Sequence, residues 1–262
     1  MHLLPGGKGS RKLTCWGLVV TRFRMRFLLI AAALSGLAAP ASSTASPQSD
    51  YSIKETRRLA YDYAKCVVGH DSAAASEALL SDASNEEILT RYKGLIDGAC
   101  LVRSTHAGAK MSFPGDLYRY ALADALVSRE LASSPVPDLS NVPALERRAL
   151  PEKPAPLSAN ASKADRRRYE KELKDYGEAE AFRTLGALGE CTVRLDAAGA
   201  KALLLTAPET AAEASSFGAL GPTLAQCLPE GTRLELGKLA LRGTIAVNYY
   251  RLAHAAASAA AR

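Results

Sequence analysis

Cys66 and Cys100 lie 34 residues apart, and Cys191 and Cys227 lie 36 apart. This matched spacing constrains the chain more than any other feature. Sequence around the first cysteine of each pair repeats at an offset of 125 residues. Of the 15 positions from Cys66 to Leu80, seven are identical in the second copy: Cys66, Val68, Asp71, Ala73, Ala75, Leu79 and Leu80. Alanine matches carry little weight in an Ala-rich chain, but the Cys, Asp and Leu-Leu matches do. After its second cysteine each copy enters one long amphipathic stretch, LYRYALADALVSRELA from Leu117 and LGKLALRGTIAVNYYRLA from Leu236. The pattern reads as a tandem internal duplication, with only two units rather than a long solenoid.

Both units read as helical. Helices are expected near residues 53–68, 72–80, 85–96 and 113–132 in the first, and near 163–193, 197–205, 209–224 and 234–257 in the second. Phe113, Leu117, Ala121, Ala125 and Leu131 approach the three-and-four spacing of a buried stripe, which Leu122 and Leu126 widen. Aromatic residues make up only 6% of the chain, and no β-branched run alternates with polar residues. The expected fold class is all-α. Asp71 and Asp196 each precede an Ala-rich helical run, where a short carboxylate can accept from free N–H groups. Pro208 suits the entry of a helix. Gly218, Gly221 and Gly231 read as helix ends and turns.

The expected organisation is an N-terminal extension plus signal peptide over 1–45, a helical unit over 46–132, a Pro-rich linker or surface strap over 133–163, and a second helical unit over 164–262. The third segment holds six of the 13 prolines; proline removes backbone donors and disfavours helix. The leader has the layout of a secretory signal: Arg26 after Met25, a mainly apolar run over 27–39, then small residues, with cleavage expected after Ala45. That run is short for a bilayer span of about 20 residues, so no stable anchor is expected after cleavage. Translation from Met25 accounts most simply for residues 1–24.

The formal charge of +6 belongs to this leader. Lys8, Arg11, Lys12, Arg22, Arg24 and Arg26 meet no acidic residue before position 46, and the remaining chain holds 27 basic and 27 acidic side chains. A neutral exported chain argues against nucleic acid as partner. The arginine run Arg166–Arg168 is followed by acids at helical spacing (Arg166 with Glu170, Arg168 with Glu172, Glu170 with Lys174), the pattern of a solvated helix.

Of the five cysteines, Cys15 lies in the leader, and the four that remain in an exported chain favour disulfides. Duplication favours pairing within each unit, Cys66–Cys100 and Cys191–Cys227. A metal site or a redox pair is the alternative; no CxxC and no Cys–His cluster at ligand spacing appears, so no metal or cofactor is expected. His70, His106 and His254 stand singly. His70 beside Asp71 could transfer protons but reads better as a polar helix junction. Tyr118, Tyr120, Tyr249 and Tyr250 fall on the final helices, where packing is favoured over a partner groove. No GxSxG, SxxK or Walker loop occurs, and no catalytic residue is assigned.

The signal-like leader, paired Cys-containing helical units and LALRG-type final helix together resemble small exported all-helical proteins of alphaproteobacteria. The resemblance implies an architecture and no activity, cofactor or catalytic residue. The sequence therefore points to a periplasmic or secreted helical interaction or structural module, with an envelope protein or peptide as partner. A cell-envelope enzyme with a dispersed site and a small-ligand carrier are the alternatives.

Overall fold

The computed structural model describes residues 52–104, 111–113, 116–229 and 236–261. The leader, His106 and Gly231 lie outside them. Among the described residues there are nine α-helices and no strand. They are α1 (Ile53–His70), α2 (Ser72–Leu80), α3 (Asn85–Arg91), α4 (Gly98–Ser104), α5 (Leu117–Glu130), α6 (Lys163–Leu195), α7 (Ala197–Leu204), α8 (Ala211–Gln226) and α9 (Lys238–Ala260), with a 3-10 turn at Lys93–Leu95 between α3 and α4. No described helix is long and apolar enough to cross a membrane.

Local chemistry sets the helix ends. Ser52 and Ser84 begin α1 and α3 with capping boxes completed by Glu55 and Glu87, satisfying donors that a helix N-terminus leaves free. Asp71 and Asp196 make matching junctions. Each ends one helix by donating its backbone N–H to the carbonyl four residues back, at 3.0 Å, and caps the next with its carboxylate. Their backbone angles agree closely, φ −143° and ψ 74° against φ −147° and ψ 74°.

Three sequence expectations need correction. The helix expected over 85–96 stops at Arg91, and a separate helix, α4, carries Cys100. Tyr92 leaves helical geometry, and the 3-10 turn then packs Leu95 into the core. Pro208 lies outside α8, whose cap is Thr210, while Gly218 and Gly221 lie inside that helix. Finally, α5 has no single buried stripe: every residue from Tyr118 to Val127 is buried, as is every residue of α9 from Arg242 to Leu252.

That burial follows from the arrangement. α5 packs most extensively on α9, with α1 flanking α5 and α6 flanking α9. Close approach is set by glycines. A Cβ on Gly243 would fall 2.2 Å from Tyr120 Cβ, and one on Gly189 would fall 2.6 Å from the Thr244 carbonyl oxygen. Adjacent residues of α9 thus bring it against α5 on one side and α6 on the other. Apolar residues of both halves form one core, from Val67, Leu79 and Leu122 through Leu203, Ile245 and Leu252.

Between α5 and α6 the chain has no helix or strand, and it runs across the molecule. Leu139 and Val142 enter the core. Arg194 donates to the carbonyls of Val142 at 2.9 Å and Pro143 at 2.6 Å, supplying partners for a proline-interrupted backbone.

Candidate functional site

Cys66 is bonded to Cys100 and Cys191 to Cys227, with Cα–Cα separations of 5.6 and 5.7 Å. The first bridge ties α1 to α4, and the second ties α6 to the end of α8. Their surroundings differ. His70 lies one turn after Cys66 on α1, so both side chains share a face. Its Nδ1 is 3.7 Å from Cys100 Sγ and 2.6 Å from Asp97 Oδ2. The other Asp97 oxygen accepts from the backbone N–H groups of Ala99 and Cys100 at 2.7 and 3.1 Å. The hydrogen bond from His70, then those from the backbone, hold the Asp97 carboxyl below its usual range.

One sequence expectation around this histidine needs correction. The partner of His70 is Asp97, because Asp71 is committed to capping α2. A Cys–His cluster does exist: ligand atoms of Cys66, His70 and Cys100 all lie within 4.8 Å of one another. The legible half of the signal was the four-residue step from Cys66 to His70; Cys100 joins only through the tertiary fold.

Sequence reading also missed two buried charge centres. In the first, Arg242 grips Asp124 of α5 with Nε and Nη2, at 2.7 and 3.0 Å. The same guanidinium donates to the carbonyls of Leu203, Leu204 and Thr206 at 2.8–3.1 Å, filling acceptors at the end of α7. Glu213 takes Arg57 of α1 at 2.7 Å and Arg242 at 3.3 Å, and Glu209 also binds Arg57. Burial works against the Arg242 cation, but Asp124 and Glu213 outweigh it and hold it above its ordinary range. Burial likewise works against ionised Glu213, yet hydrogen bonds from Arg57 and the Glu209 N–H, with both arginine charges, keep it below its usual range.

In the second centre Asp82 binds Arg119 of α5 and Arg251 of α9, the latter at 2.8 Å. Glu190 of α6 accepts from Arg147 and from Arg194 Nε at 2.9 Å. Arg119 and Arg148 also lie against the Phe182 ring, 5.1 and 4.2 Å from its centroid. These groups hold helices and the proline-rich segment together, while Arg57 Nε, Arg119 Nε and Arg148 Nε are buried without a hydrogen-bond partner among the described residues.

A third feature is an open apolar groove of about 550 Å³. One wall is the segment from Leu131 to Val142, and the floor is Tyr249 with Ala253, Ala256, Ala257 and Ala260 of α9. Among the described residues Asp138 is the one charged residue lining it, and the backbone N–H and hydroxyl of Ser140 hold its carboxyl below the usual range.

The remaining sequence candidates are placed as follows. Tyr118, Tyr120 and Tyr250 are packed in the core, and burial raises each hydroxyl's pKa. Tyr249 is also buried and alone among the four borders the groove. The His254 ring lies tilted against that of Tyr250, with centroids 4.4 Å apart. The arginine run lies on the exposed first half of α6. Its ion pairs are Arg168–Asp165, Lys171–Asp175 and Lys174–Glu178 rather than those expected from spacing. Comparison with protein-family models, curated proteins and solved structures finds no match to the chain.

Proposed function

We propose that the protein is an exported, disulfide-stapled helical interaction module, a tandem duplication that binds an apolar peptide segment of an envelope protein. The open groove between the 131–142 segment and the end of α9 carries this reading. Its alanine floor is too short in side chain to fill the space itself, so a partner's apolar side chains gain burial there at roughly 25 cal/mol per Å². Asp138, the charged residue among the described lining, selects a basic residue in the same segment. The groove's open side suits a peptide better than an enclosed small ligand. The paired cysteines and the matched Asp71 and Asp196 junctions favour duplication, and the leader favours export.

Site-specific photo-crosslinking tests the reading. A benzophenone side chain at Val136 should capture one discrete envelope protein through an apolar, base-containing segment. The same probe at Lys171, on exposed α6, should not. Ala257→Glu and Asp138→Asn should each weaken capture severalfold. Equal capture at Val136 and Lys171, or capture indifferent to both substitutions, overturns the proposal.

A further inference from the structure

The two staples differ in what stands beside them. Four residues after the first cysteine of each pair come His70 and Leu195; three residues before the second come Asp97 and Leu224. A bridge needed only for stability works with leucines at both places, as the second one does. The first bridge instead carries an imidazole within reach of its sulfurs, paired with the Asp97 carboxylate. The 3.7 Å between His70 Nδ1 and Cys100 Sγ is close to the roughly 3.5 Å edge expected between nitrogen and sulfur on a tetrahedral zinc, from bonds of about 2.0 and 2.3 Å.

We propose that reduction of the Cys66–Cys100 bridge by a dithiol opens a binding site for one zinc-type divalent metal ion. Its ligands are Cys66 Sγ, Cys100 Sγ and His70 Nδ1, with water completing the tetrahedron. Attack falls on Cys66, whose side chain is partly exposed while Cys100 is fully buried. A thiolate of the reductant bonds to Cys66 Sγ, the S–S bond breaks, and its electron pair stays on Cys100 Sγ. The reductant's second thiolate then displaces Cys66 from the mixed disulfide. The reductant leaves as its own disulfide, having given two electrons to the pair. The metal replaces the two thiol protons, which pass to solvent, and His70 binds as neutral imidazole with its proton on Nε2. Thiolate and imidazole together suit zinc and disfavour calcium or magnesium, which prefer oxygen. The site is thereby gated: oxidised, the sulfurs are bonded to each other; reduced, they are free to take the ion.

Cobalt(II) titration of the reduced full chain tests this, with circular dichroism followed alongside. One equivalent should bind with the visible bands of tetrahedral thiolate coordination, and zinc should displace it. His70→Leu, the residue of the second staple, should weaken binding by about 10- to 100-fold. The double variant C191S/C227S should bind as the unaltered chain does. Absence of the bands, bands unaffected by His70→Leu, or helix content lost on reduction and not restored by metal would each overturn the proposal.

Discussion

Asp82 and Glu209 are the non-glycine residues at positive φ among those described, at 57° and 62°. Left-handed backbone costs a residue with a side chain about 1 kcal/mol or more, and each of these two binds a buried arginine. Glu209→Gly would relieve the backbone and lose the Arg57 contact, so its net effect should be destabilising by less than that of Glu213→Gln. Glu213→Gln withdraws a charge from Arg57 and Arg242 together and should cost about 3–5 kcal/mol in urea unfolding. The pH dependence follows from the same carboxylate. Its folded pKa lies below the unfolded value, so its stabilisation is present above the unfolded pKa and is lost as pH falls through the folded one. Glu213→Gln should therefore flatten the acid limb of the stability profile below about pH 4.3. Asp71 and Asp196 were legible in sequence because capping is a contact over three residues. Arg242 was not: its carboxylate on α5 is 118 residues away, and a charged residue in a helix ordinarily signals a wet face.

At the scale of elements, the readable helices were those with local start and stop signals, and the misread ones were central. α5 and α9 look amphipathic in sequence because they contain Arg119, Asp124, Arg242 and Arg251. Arg242 pairs with Asp124, and Arg119 and Arg251 share Asp82, inside the core, so α5 from Tyr118 to Val127 and α9 from Arg242 to Leu252 are buried all round. The glycines on these crossings give a direct test. Gly243→Ala puts a methyl where Tyr120 already stands and should cost about 1–3 kcal/mol through overpacking. The opposite expectation holds for the first half of α6, from Lys163 to Glu180. It is solvated and carries i,i+3 and i,i+4 ion pairs, so Arg167→Ala should move stability by less than about 0.5 kcal/mol. The groove was not legible at this scale, because its wall comes from a segment whose composition gives no position.

Across the whole molecule each half carries one bridge and one central helix, and the central helices cross. Replacing Cys191 and Cys227 by Ala should cost about 3–4 kcal/mol in non-reducing denaturation. The loss should be felt by the first half too, because both halves share a core. Cysteine spacing made the pairing readable, whereas the crossing of α5 over α9 was beyond a sequence pattern, since neither partner encodes the other's position. That crossing has a consequence for biogenesis. Asp124 and Arg242 are separated by 118 residues, and at roughly 5–20 residues per second the arginine is made roughly 6–24 s after its carboxylate. Throughout that interval the nascent first half holds an unneutralised carboxylate and an uncovered apolar helix. The face of α5 that packs on α9 therefore stays uncovered until α9 has been made.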